Sequence, residues 1–185
     1  MKRIITTLFV VCMLVLQPLT AIGGSDTYSR TEIQQEIEGF FETTTEGLAD
    51  VIEKIFQEQG RPSGFIKGEE GGGAFVVGLR YGRGTLTLKN GSSRRVHWQG
   101  PSVGWDMGGN VSKVFTLVYN LTHPEVIYQR FPGVDGSVYV VGGFSMNYQQ
   151  KGSIVLAPIR TGVGLRLGAN VGYLHYTKKK RINPF

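Results

Sequence analysis

Apolar residues are distributed along this chain in three regimes. Ile4 to Leu16 is almost continuously apolar, follows Lys2-Arg3, and is closed by Pro18 and the small residues Ala21 and Gly23. A positive start, an apolar stretch and small residues at a cleavage site predict a secretion signal over residues 1–23. The apolar stretch is short of the ~20 residues that cross a bilayer as a helix. Val11 precedes Cys12 within it, so a lipidated cysteine is not expected. The second regime has helical spacing: Ile33, Ile37, Phe40, Phe41, Leu48, Val51, Ile52, Ile55 and Phe56. Ser29 with Glu32 forms a capping box, and Gly60-Arg61-Pro62 is a stop signal. Gly39, Thr43-Thr44-Thr45 and Gly47 weaken the middle, so the segment 24–62 is expected to hold one kinked helix or two helices.

From Gly64 the period changes to two. Ala74 to Arg80 and Thr85 to Leu88 read as strands about a Tyr81-Gly82-Arg83-Gly84 turn, and Asn90-Gly91 is a second turn. Val96-His97-Trp98, Ser102 to Met107 and Lys113 to Tyr119 follow as strands. Thr122, Pro124 and Glu125 predict a short inserted helix. Strands resume at Ser137 to Tyr148, Ile154 to Ile159, Thr161 to Gly168 and Asn170 to Thr177. In the run from Thr161, one parity carries Val163, Leu165, Leu167, Val171 and Tyr173, and the other carries mostly glycine with Arg166. A bare strand face permits strong coiling or the close approach of another element. The pattern as a whole predicts a mainly β protein: a small closed antiparallel barrel of about 8–10 strands over 63–185, with the N-terminal helical segment and one short helix added.

Charge and composition sharpen this picture. The 185 residues include 27 glycines, about twice the usual ~7% share, and they have no collagen period. An apolar fraction of 41% against 18% charged excludes disorder for the bulk of the chain. Residues 26–59 are acidic and the rest of the mature chain is basic, which suggests that the helical segment lies across the β domain. One cysteine excludes a disulfide framework, and three histidines without metal-like spacing argue against a zinc enzyme. Glu69-Glu70 does not make an acid/base pair, because neighbours on a strand point to opposite sides. Gly162-Val163-Gly164 lacks the spacing and the following helix of a dinucleotide site. No catalytic residue, metal or cofactor is expected. The basic residues Arg80, Arg83, Arg94, Arg95, Arg160, Arg166 and Lys178 to Arg181 suit anionic headgroups or acidic polysaccharide, or else pair with the acidic helix. Nucleic acid is not expected for a secreted chain.

Several ordered strings resemble the envelope integrity protein A family: Gly60-Arg61-Pro62, Gly68-Glu69-Glu70-Gly71, Gly78 to Gly82, Trp98 to Gly104, Lys113 to Asn120, Arg130 to Val134 and the run Ile154 to Tyr176 ending in Asn183-Pro184-Phe185. The resemblance covers about residues 28–185. It implies a small soluble periplasmic β-barrel that is needed for an intact cell envelope and has no established enzymatic activity. Gly100-Pro101-Ser102 and the glycine-rich strands are more distantly similar to the SYLF lipid-binding domain.

The resulting expectation is a non-enzymatic periplasmic protein that binds an amphiphilic or anionic envelope component, a lipid or polysaccharide. Arg160 and Arg166, with the apolar Val163, Leu165 and Leu167, are the candidate ligand-binding residues. Peripheral membrane contact fits this reading, and no particular protein partner is implied. Two alternatives stand beside it. One is a scaffold that docks another envelope protein or glycan without a cavity. The other is an integral outer-membrane barrel, which the basic Lys178-Lys179-Lys180-Arg181 ending opposes.

Overall fold

The computed structural model describes residues 26–106, 111–161 and 172–181, and within them every side chain except those of 72–78 and 102–106. The secretion signal expected over 1–23 lies outside the described residues, as do Val163, Leu165, Arg166 and Leu167.

The helical segment forms two helices, α1 (Arg30–Phe41) and α2 (Glu46–Gln59). Ser29 closes the capping box: its hydroxyl accepts from the Glu32 amide at 3.3 Å, and the Glu32 carboxylate accepts from the Ser29 amide at 2.8 Å. The threonine run is a boundary between helices. Glu42 ends α1 in the left-handed region at φ 58°, and the Thr45 hydroxyl caps α2 by accepting from the Leu48 amide. Gly60 stops α2 at φ 74°. Gly39 is an exposed glycine inside α1, and a Cβ there would meet nothing within 4 Å. Gly39→Ala is therefore expected to stabilise the fold by about 1 kcal/mol, raising Tm by about 2–4 °C in a thermal melt. An unchanged or lowered Tm would contradict this.

The described β residues form one antiparallel sheet of nine strands: β1 (Gly64–Leu88), β2 (Ser93–Asp106), β3 (Ser112–Tyr119), β4 (Arg130–Pro132), β5 (Tyr139–Val141), β6 (Phe144–Met146), β7 (Gln149–Lys151), β8 (Ile154–Thr161) and β9 (Tyr173–Thr177). Their order is β4-β9-β2-β1-β3-β8-β6-β5, with β7 also on β8. The inserted helix is a 3-10 turn, Pro124–Ile127, begun by His123 and not capped by Thr122. The Asn90-Gly91 turn joins β1 to β2, with Gly91 at φ 84° and the Asn90 side chain accepting from the Ser92 amide. The turn expected at Tyr81 to Gly84 is absent. These residues pair in register with Gln99 to Val96, so the strand continues through them.

Glycine at this point serves a crossing rather than a turn. The first part of β1, Gly64 to Glu70, pairs with β3, and Ala74 to Thr87 pairs with β2. The two parts bend back across each other at Gly68 and Gly84. A Cβ on Gly84 would stand 2.5 Å from the Lys67 carbonyl oxygen and 3.0 Å from the Gly68 Cα. This sharp coil rolls the sheet around an interior.

Strand parity assigns the faces. Even-numbered residues point inward: Ile66, Leu86, Val96, Trp98, Val114, Val118, Leu156, Leu174 and Tyr176 form one core with Leu121, Ile127 and Phe131. Odd-numbered residues of the first part of β1, of β3 and of β8 point the other way. Phe65, Phe115, Leu117, Tyr119, Ala157 and Ile159 pack there against Ile33, Ile37, Val51 and Ile55 of the helices. Strands β3 and β8 are covered on both sides, which is why their sequences read as continuous apolar runs. The acidic helices also meet the basic sheet through Lys67–Glu36, Lys89–Glu32 and Lys113–Glu42. Half-exposed pairs of this kind contribute at most about 1 kcal/mol each, so they orient helices that apolar packing holds.

The closed barrel expected from the sequence is corrected to an open, curled half-barrel. Among the described residues the pairing path begins at β4 and ends at β5. Among the described residues an isolated bridge, Gly133 to Gln149, draws the β4 side toward β7.

Candidate functional site

Two places concentrate polar chemistry. The first is inside the curl. Glu70 follows Ile66 and Gly68 on the inward parity of β1, and Arg160 follows Leu156 on the inward parity of β8, so both are delivered to the interior, 1% and 6% exposed. The Arg160 Nε donates to Glu70 Oε1 at 3.0 Å, and the Arg80 Nε lies 3.3 Å from the same oxygen. The Trp98 indole N–H donates to Glu70 Oε2 at 2.8 Å. Burial alone would raise the Glu70 pKa, but the charges of Arg160 and Arg80, with the bonds from Trp98 and Arg160, overcome it and hold the carboxyl at about 2. It is thus a fixed anion with both oxygens engaged. Arg160 Nη1 donates to Asn147 at 2.8 Å, while Nη2 is buried without a hydrogen-bond partner among the described residues. Burial also raises the pKa of the Tyr176 hydroxyl, which bonds to Thr116 in the same interior.

Arg160 is therefore not on a basic rim, and its partner is Glu70 rather than the acidic helix. The sequence reading had the parity argument that separates Glu69 from Glu70 but not the fold that sends Glu70 inward. Glu69, on the opposite face, is half-exposed and pairs with Arg83 at 3.6 Å.

The second place is the outward face of the later part of β1 and of β2, which the helices do not cover. Residues Glu69, Tyr81, Arg83, His97, Gln99 and Lys180 line a cleft of about 290 Å³ there. Tyr81 lies opposite Gln99, and Gln99 opposite His175. Arg83 lies opposite His97, and His97 opposite Thr177. Gln99 is 1% exposed, and its Nε2 and the Nδ1 of His97 are buried without hydrogen-bond partners among the described residues. Around this face, Arg94 and Lys178 share Glu125. Arg95, Lys179, Lys180 and Arg181 have no acidic partner among the described residues. The sequence offers these cations as one anion-binding set without placing them on a common face. Their convergence with His97 and Gln99 depends on β9 pairing with β2, a contact between residues about 80 apart in the chain that no local pattern encodes.

A coiled antiparallel sheet with a filled interior and two helices across one face defines a beta-barrel-like protein. The chain belongs to the envelope integrity protein A family, whose model matches residues 26–185. It is similar to a crystal structure of a beta-barrel-like, uncharacterized protein from Brucella abortus, with 48% identity, a TM-score of 0.79, and coverage of 87% of this chain and 100% of that one. No curated protein matches the chain. The family carries a role in envelope integrity and with it a place in the cell envelope.

Proposed function

We propose that this is a periplasmic, non-enzymatic protein that supports the envelope by holding an anionic envelope component on the basic face around β2 and the C-terminal tail. The observation that carries this reading is the distribution of partners. Lys67, Lys89 and Lys113 are spent on the acidic helices, whereas Arg95, Lys179, Lys180 and Arg181 are exposed cations without acidic partners among the described residues. Such a patch attracts polyanions through an exposed, salt-screened field.

The test is binding of the naturally processed protein to vesicles rich in anionic lipid and to polygalacturonate, at low and at high salt. Binding is expected to one of these polyanions and to weaken severalfold in 0.5 M salt, roughly as screening within a few Å requires. The variant Lys179→Gln/Lys180→Gln/Arg181→Gln should lose that binding with an unchanged Tm. Absence of binding to both polyanions would refute the reading. A scaffold reading has its own support at the far edge of the sheet, where Val138 and Val140 beside and within β5 are 39% and 49% exposed. An added strand from a partner would cover them.

A further inference from the structure

The basic face holds a cleft whose lining is more specific than a charged patch requires. Gln99 and His97 each place a buried polar atom there without a hydrogen-bond partner among the described residues, and buried polar groups in folded proteins are nearly always paired. The lining also holds the Tyr81 ring and the guanidinium of Arg83 with the Glu69 carboxylate beside it, together with Gly71, Gly82 and Val111, while Trp98 borders the cleft with its indole bonded inward to Glu70. Rings offer an apolar face for stacking. Amide, imidazole and carboxylate offer donors and acceptors in fixed planes. Together these suit a ligand with apolar C–H faces and a rim of hydroxyl groups, which describes a pyranose sugar. A volume of about 290 Å³ is at the small end of ligand clefts, enough for one such ring. Two cations, Arg83 and Lys180, stand against the single carboxylate of Glu69, so the cleft has a surplus positive charge.

We propose that this cleft binds one acidic sugar unit of an envelope polysaccharide. The Gln99 amide and the His97 imidazole bond its hydroxyls, an aromatic ring of the cleft stacks on it, and Lys180 meets its carboxylate. The inference rests on the reading that the basic face holds an anionic envelope component, and it assigns that component a chemical class and a site.

Trigalacturonate and maltotriose, an acidic and a neutral trimer, serve as probes. Each is titrated into the naturally processed protein while the Gln99 side-chain amide is followed by NMR and Trp98 by fluorescence. Trigalacturonate is expected to shift the amide and change the indole emission, with maltotriose binding at least tenfold more weakly. Gln99→Leu should weaken trigalacturonate at least tenfold with Tm unchanged or raised, because the variant removes the unpaired buried Nε2. Lys180→Gln, a change at an exposed residue, should weaken trigalacturonate at least threefold and leave the neutral trimer unaffected. Equal binding of the two trimers, or undiminished binding by the folded Gln99→Leu or Lys180→Gln protein, would overturn the proposal. So would the absence of any response to trigalacturonate. In that last case, flotation with anionic vesicles separates the two levels: vesicle binding leaves the broader anion-binding reading standing without the sugar site, and no vesicle binding removes both.

Discussion

Glu70→Ala is expected to lower stability by about 3–5 kcal/mol, because it leaves the buried Arg160 without its counter-ion and takes the acceptor from the Trp98 indole. Against a total of roughly 5–15 kcal/mol for a domain, that is a large fraction. Thermal denaturation should register a fall in Tm on the order of 10 °C, or failure to accumulate as folded protein. The same residue sets a pH dependence. Its carboxyl is held at about 2 in the fold against an ordinary 4.5. A group whose pKa is lowered on folding contributes fully above its unfolded value, and that contribution disappears as pH falls toward its folded value. The Glu70 contribution is therefore complete above pH 4.5 and lost between there and pH 2, amounting to about 3 kcal/mol over that window. Chemical denaturation at pH 5 and at pH 2.5 should show a larger loss for the native protein than for Glu70→Gln, which is already weakened at pH 5 and keeps only the losses of other carboxylates held low in the fold, such as Glu32. Parallel losses in the two proteins would remove Glu70 from the account of acid stability.

Gly84→Val should be at least as damaging. The added Cβ would stand 2.5 Å from the Lys67 carbonyl oxygen and 3.0 Å from the Gly68 Cα, both backbone atoms, and 3.1 Å from the Ile66 side chain. Backbone on both sides cannot swing away as a side chain tip does, so the crossing of the two parts of β1 must open. Because that crossing coils the sheet around Ile66, Leu86 and Trp98, opening it exposes the inner core. Loss well beyond the ~1–3 kcal/mol of ordinary overpacking is expected, read as a collapse of the cooperative melt and binding of a hydrophobic dye. A Tm within a few degrees of the native value would show that the crossing relaxes without cost. The corresponding expectation for the bare strand face at 162–171 lies outside the described residues.

Much of the architecture was legible from local pattern. The apolar spacing of Ile33 to Phe56 with the Ser29–Glu32 box is a matter of residues within one helical turn of each other, and both helices follow from it. The mainly β character after Gly64 and the Asn90-Gly91 turn are equally local. The opposite charges of the two segments anticipated the helices crossing the sheet, and the Lys67, Lys89 and Lys113 pairs are the result. Tyr81 to Gly84 misled because two glycines around an arginine suit a turn and a close backbone crossing equally well, and only the register with β2 distinguishes them. Strands β4 and β7 have three residues each, too few for alternation to declare itself.

What sequence alone determined, then, was element type and the parity that puts Glu69 and Glu70 on opposite faces, since a strand's alternation is intrinsic to its backbone. Which parity faces inward was decided only in three dimensions, by the sharp coil at Gly68 and Gly84 that makes one face of the sheet concave. That coil carries Glu70 to Arg160, 90 residues away, and β9 brings the basic tail beside His97 and Gln99. Contacts between residues so far apart are set by the path of the whole chain, and no window along the sequence contains them.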